Sequence, residues 1–265
     1  MKRFLDKVVW ITGASSGIGE ATVYEFAKQG AKLVISARRE EELQRVKKNT
    51  QLPDTDVLVL PIDAEKPAEF PAKVSEVLKH FGRIDVLFNN AGISQRSSVA
   101  ESDMEVYHKI MDINFFGVIA LTKAVLPAML QQKSGHIAVT SSISGKVGTP
   151  MRSGYCATKH ALHGFFDSLR AEVWKENIGI TLVCPGYIHT NISVNAIAGD
   201  GSKHGKMDQN QAGGISPEDC AASIVNAIYH QKEEVYIGRK EVLAVYLKRF
   251  FPKLLSKIMR NQMPK

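Results

Sequence analysis

Short apolar runs rich in Val and Ile alternate along the chain with longer stretches of helical periodicity, the pattern of repeated strand-helix-strand units in a parallel sheet. Strands are predicted over 7–11, 32–37, 56–60, 84–88, 136–141, 179–184 and 234–237. Their near-continuous apolar character suits strands covered by helices on both faces, so seven such runs predict one doubly wound α/β sheet. Pro67 and Pro71 fall in the helix expected before Ile84 and leave the position of its first turn open. From Asn191 to Gly214 the periodicity gives way to five glycines and many polar residues. A stretch of that length inside a compact domain reads as a mobile lid or a disordered insertion.

Beyond residue 240 the pattern changes again. Between Leu243 and Met259, Leu247, Phe250, Phe251, Leu254, Leu255 and Ile258 recur at helical spacing, and Pro252 is placed to split the stretch into two short helices. The expected organisation is one domain over 1–240, with its lid at about 191–214, followed by a tail over 241–265.

Of the 265 residues, 44% are hydrophobic and 23% charged, enough apolar mass for a sizeable core and the wrong balance for a disordered or collagen-like chain. No run approaches the roughly 18 apolar residues of a spanning helix. The first strand begins too near Met1 to leave room for a secretory leader, and Cys156, Cys184 and Cys220 have no CxxC spacing. A reducing, cytoplasmic compartment is therefore expected, without a disulfide framework or a four-thiolate zinc site. The net charge is +7, but Lys248, Arg249, Lys253, Lys257, Arg260 and Lys265 against Glu241 alone place +5 of it in the tail. The nearly neutral body argues against a nucleic-acid-binding face. For the tail two readings stand side by side: peripheral contact with a membrane surface, or a terminal helix packed on the body or across a pocket mouth.

Two constellations carry chemistry. The first is Gly13-Ala14-Ser15-Ser16-Gly17-Ile18-Gly19, between the first strand and a helical run. Gly13 can turn tightly, Gly17 lets backbone approach a pyrophosphate, and Gly19 allows helix and strand to pack closely, with the helix N-terminus facing the anion. The second strand ends Ala37-Arg38-Arg39, where a carboxylate would select a ribose 2′-hydroxyl. Ala37 removes the carboxylate, and Arg38 supplies a fork for a 2′-phosphate, which points to NADP(H). Asp63, past the third strand, is placed either to bond an adenine amino group or to serve as an ordinary loop residue.

The second constellation is Ser142 at a strand end, Tyr155 thirteen residues on, and Lys159 one helical turn beyond Tyr155. An ammonium beside a phenol favours phenolate and brings a group of ordinary pKa about 10 nearer to working pH. Asn89-Asn90-Ala91-Gly92 and the Asn114 segment complete the pattern.

With these motifs in this order, the chain resembles the classical short-chain dehydrogenase/reductase family. The resemblance rests on Thr12 to Gly19, Asn89 to Gly92, Asn114, Ser142, Tyr155 with Lys159, and Pro185-Gly186-Tyr187-Ile188-His189-Thr190. Within the family, Ser141 to Met151 followed by Tyr155-Cys156-Ala157-Thr158-Lys159 is similar to members acting on steroid, retinoid or other lipid-like substrates. The resemblance implies a Rossmann-type fold and hydride exchange between a carbonyl and an alcohol. Tyr155 is then the acid or base, and Ser142 bonds the reacting oxygen. Lys159 holds the nicotinamide ribose and lowers the Tyr155 pKa, while Asn114 holds a relay water. Asn90, Ala91 and Gly92 would lie along the cofactor, with Pro185, Gly186, Ile188 and Thr190 at its nicotinamide end. Ile93, Met151 and Tyr187 are the expected substrate contacts.

The family's helices equivalent to 107–130 and 155–176 imply a homodimer or homotetramer. Two other functions stay open: a dinucleotide-binding regulatory or scaffold protein without turnover, and a reductase of sugar, polyol or acyl-thioester substrates. A metal shared by His160 and His163 has no HExxH motif behind it, and Ser142 has no GxSxG around it.

Overall fold

The computed structural model describes residues 2–261. Seven parallel strands form one sheet in the order β3-β2-β1-β4-β5-β6-β7: β1 (Val8–Thr12), β2 (Lys32–Ser36), β3 (Val57–Val59), β4 (Val86–Asn89), β5 (Gly135–Thr140), β6 (Ile178–Pro185) and β7 (Glu234–Ile237). This is the doubly wound Rossmann-type sheet that the apolar runs predict, with strand bounds within about two residues. The central strands bury both faces, as β1 shows residue by residue. Val9 and Ile11 point into one core, with Val23 and Phe26 of α1 (Gly17–Lys28), Leu43 and Val46 of α2 (Glu40–Thr50) and Ile224 of α8 (Pro217–Tyr229). Val8 and Trp10 point into the opposite core, with Val74 and Val77 of α3 (Phe70–Phe81), Leu121 and Val125 of α5 (Gly117–Gln132) and Leu162 and Phe166 of α6 (Ser153–Val173). The period of two along a strand produces that division. Trp10 is fully buried, and its indole N–H donates to Ser36 Oγ at 2.9 Å, which removes the cost of an unpaired donor in the core.

Pro67 opens a 3₁₀ turn over Pro67–Glu69 and Pro71 lies in the first turn of α3, the one part of a helix that loses no hydrogen bond to proline. Helix α4 (Met104–Met111) runs through a π-helical turn (Asp112–Phe116) into α5, giving one helix of 29 residues that is long and apolar enough to cross a membrane by length and composition. The sequence reading expects no such run. Val118, Leu121, Val125 and Met129 bury one face of this helix against the sheet, and 44% of its most apolar stretch is buried.

The strand order reverses between β1 and β4, and the carboxyl ends of the strands there form the crevice where such sheets bind ligands. Over that edge lies the segment from Asn191 to Gly214, which is folded. Ile197 donates to Ser94 O and accepts from Arg96 N, both at 2.9 Å, while short helix α7 (Gln209–Ala212) ends the segment. It is a strap tied to the loop after β4, where the sequence suggests mobility or disorder. Pro252 divides the tail into α9 (Leu243–Phe250) and α10 (Pro252–Arg260), as its position predicts. Lys265 and the other last residues of the expected tail lie outside the described residues.

Candidate active site

The glycine loop is shaped by backbone constraints that only glycine meets easily. Gly13 and Gly17 have φ of +65° and +57°, and a Cβ on Gly19 would run into the Gly13 carbonyl. Ser16 caps α1 by position without a side-chain bond, so the first N–H groups of the helix have no side-chain acceptor and face a cleft of about 810 Å³. Thr12, Gly13, Ser15, Ser16, Gly17 and Ile18 line this cleft. Arg38 and Asp63 flank its far end, and Asn90, Ala91, Gly92, Ile93, Tyr155, Lys159 and Thr190 line the remainder. The fit to a dinucleotide is thus geometric: bare helix N–H groups for a pyrophosphate, positive-φ glycines for close approach, and an exposed guanidinium beyond them.

Several predicted residues have other placements. Gly19 lies beneath the loop, where it permits packing. Ile188 is buried in the core, and fully buried Asn114 lies behind Gly92 and Ile93 of the first cleft without lining it. Pro185 ends β6, and its carbonyl accepts from Ser142. Gly186 and Tyr187 line a second cavity of about 740 Å³, together with Ser142. Met151 lines neither cavity: its φ of +62° turns the chain there, and Arg152 takes the wall position instead.

The strand ends are locked together by a polar chain. Thr12 Oγ1 accepts from the N–H groups of Asn90 and Ala91 at 2.9 and 3.0 Å. The Asn90 side chain donates to Thr12 O and accepts from Thr140 Oγ1, and Lys159 Nζ donates to Thr140 O at 2.6 Å. Asn114, in the π turn, accepts from Ile93 N at 2.8 Å and donates to Ile93 O at 2.9 Å. Its amide braces the loop behind Gly92.

Tyr155 and Lys159 lie one turn apart on α6, with Nζ 5.7 Å from the phenol ring centre. Burial holds the Tyr155 phenol above its ordinary range, against the opposing pulls of the nearby Ser142 hydroxyl and the charges of Arg152 and Arg96. Burial lowers the Lys159 ammonium to about 8. Arg152 and Arg96 thus join Lys159 as cations near the phenol.

Those arginines escaped the sequence reading, as did Gln95 and Asp208. Fully buried Gln95 accepts from Gly154 N at 2.7 Å and donates to Ser97 and Ser102, fixing the start of α6. Asp208, on the strap, pairs with Arg96 and, at 2.8 Å, with Arg152. Burial acts to raise the Asp208 carboxyl, and Arg96 overcomes it to hold the group below its ordinary range. Glu241, the lone acid of the tail, accepts from Tyr187 N at 3.0 Å and fills space left by Gly186 and Gly238.

The two histidines beyond Lys159 do not face one site. His160 Nδ1 meets Cys156 O at 2.8 Å, while buried His163 lies near Cys184 and Glu234. Lys146 pairs with that carboxylate at 3.1 Å.

The comparisons agree with this geometry. The family model for short chain dehydrogenases matches residues 7–200. An Anopheles gambiae dehydrogenase/reductase SDR family protein 7-like is 44% identical, the match covering 98% of this chain and 84% of that one. Human dehydrogenase/reductase SDR family member 7 is 41% identical, with 93% of this chain and 75% of the relative covered. Among solved structures, a Burkholderia phymatum short chain dehydrogenase/reductase in complex with NAD superposes with a TM-score of 0.84 at 25% identity over 96% of each chain. Levodione reductase superposes at 0.77, with 28% identity over 91% of this chain and 99% of its own.

The chain belongs to the short-chain dehydrogenase/reductase family. It is an oxidoreductase whose cleft takes a nicotinamide dinucleotide.

Proposed function

We propose that the protein is an NADP(H)-dependent oxidoreductase interconverting a carbonyl and an alcohol on a lipophilic substrate. The observation that carries this reading is the placement of Tyr155, which lines the dinucleotide cleft, near enough to Ser142, which lines the second cavity, for that hydroxyl to draw the phenol's pKa down. The two cavities therefore meet at a neighbouring phenol and hydroxyl. When bound, the nicotinamide supplies or accepts the hydride; the protein's part is orientation and proton transfer. Ser142 holds the substrate oxygen and Tyr155 transfers its proton, donating it in the reductive direction. Burial suits donation, because it keeps the proton on the phenol until the substrate oxygen gains charge. Lys159, anchored on Thr140 O, is placed to bond the nicotinamide ribose.

Arg38 supports the choice of NADP(H): it is exposed, lines the cleft, and follows Ala37 where a carboxylate would favour NAD(H). Support for a lipophilic substrate comes from Val147, Leu243, Ala244, Leu247, Leu255 and Met259 in the second cavity, beside the charged Arg152, Arg239, Lys240 and Glu241. Exposed Phe116 and Trp174, on the faces of the helices that commonly pair subunits in this family, suit a homo-oligomer. Three free, buried cysteines suit a reducing cytoplasmic setting.

Screening carbonyl substrates of graded chain length by NADPH absorbance tests the reading. Turnover should rise with apolar length and collapse when NADH replaces NADPH. A preference for short polyols or for NADH would overturn it.

A further inference from the structure

The tail helices have two apolar faces with different surroundings. The inner one, with Leu247, Leu255 and Met259, walls the substrate cavity, and Leu255 is only 3% exposed. The outer one is uncovered: Phe250 is 68% exposed, Phe251 61% and Leu254 50%. Among the described residues, six of the fourteen large exposed hydrophobics fall in the sixteen residues from Leu243 to Ile258; Leu243 and Ile258 line the cavity, and the other four, Tyr246, Phe250, Phe251 and Leu254, form a patch and not the usual scatter.

Around the patch stand Lys248, Arg249, Lys253, Lys257 and Arg260, all exposed. No acidic residue occurs between Val242 and Asn261, and among the described residues none of these five cations is in an ion pair. That charge discriminates between occupants. A second copy docking face to face would set five cations against five, whereas anionic headgroups complement them around an apolar centre.

We propose that the outer face of α9 and α10 docks on an anionic membrane surface, so that the cavity behind these helices opens next to the lipid phase. The proposal rests on the lipophilic-substrate reading only for its purpose; the docking itself is measured separately. Both readings of the tail then hold at once: the helices pack across the pocket mouth and also present a membrane-binding side.

The test is sedimentation of the full-length protein with vesicles of phosphatidylcholine alone or mixed with phosphatidylglycerol, at low and physiological salt. Binding should be on the order of tenfold or more stronger to the anionic vesicles and should weaken as salt screens the cations. A triple variant, Phe250→Ser, Phe251→Ser and Leu254→Ser, and separately Lys253→Gln with Lys257→Gln, should each lose on the order of tenfold in binding. Both should keep wild-type NADPH turnover of a water-soluble carbonyl and a wild-type Tm, since none of these residues lines the cavity. No sedimentation at low salt, or binding unchanged in both variants, overturns the proposal. So does a wild-type oligomer, seen by sedimentation velocity, that the triple variant dissociates, because a second copy would then own the face. Vesicle binding by a protein with no turnover of any lipophilic carbonyl would sink the substrate reading while supporting the docking.

Discussion

Gln95 accepts the backbone N–H of Gly154 at 2.7 Å, and so a buried side chain from the loop after β4 holds the first turn of the helix that carries Tyr155. The bond spans 59 residues and satisfies a donor that the start of a helix would otherwise leave unpaired. Gln95→Leu strands that N–H, and unfolding in urea should show a loss of about 1–3 kcal/mol. Because Tyr155 would then be misplaced, kcat should fall more than KM rises, and the pH profile of kcat should shift. Gln95→Glu keeps the acceptor and should restore much of kcat. A loss of stability with an unaltered kcat and pH profile would reduce Gln95 to a packing residue.

Tyr155→Phe removes the transferable proton and leaves the ring in place. Turnover should drop by about 10²- to 10⁴-fold, while the dissociation constant for NADPH, followed by fluorescence, stays near wild type. Near-normal turnover would refute the acid/base assignment.

Cofactor preference should be reversible at the end of β2. Ala37→Asp with Arg38→Ala exchanges a partner for the 2′-phosphate for an acceptor from the 2′-hydroxyl. Loss of a charge-assisted bond is worth about 1.5–3 kcal/mol, so NADPH should bind roughly tenfold or more weakly and NADH more tightly. Dissociation constants for both cofactors in both proteins decide the matter.

Lys159 carries a stability cost with a definite pH signature. Its ammonium is lowered to about 8 in the folded protein, against about 10.4 in an unfolded chain. Between those values the unfolded state binds more protons, so stability rises with pH across that window and the penalty is fully present below it. Lys159→Met should therefore stabilise the cofactor-free protein by up to about 3 kcal/mol at pH 7, an advantage that shrinks towards pH 10, while destroying activity. Urea titrations at the two pH values measure it; an equal difference at both would contradict the assignment.

Strand positions were readable because apolar runs buried on both faces, such as Val8 to Thr12, leave a signal within five consecutive residues. The glycine loop and the Tyr155–Lys159 pair were readable for a similar reason, since local backbone geometry sets their spacing. Gln95, Arg96, Arg152 and Asp208 were not. Arg96 and Asp208 meet across 112 positions, through irregular segments with no periodicity to mark them. The strap misled because its glycines and polar residues resemble disorder in composition, while its order comes from backbone bonds to Ser94 and Arg96. At Met151 a positive-φ turn that sequence spacing does not mark puts Arg152 on the cavity wall.

The Glu241 bond to Tyr187 N bears on how the molecule is made. A ribosome releases the glycine loop first, but the Thr12 hydroxyl has no partner until Phe88 and Asn90, 76 and 78 residues later, have emerged. The substrate cavity waits longer still, for Glu241 to reach back 54 positions and for Leu255 to close the wall. Contacts of such separation form late and slowly, since loop closure must precede any gain from them. Catalytic competence is thus postponed until nearly the whole described chain has been made, and a nascent chain can hold its phosphate-binding loop well before it has anywhere to put a substrate.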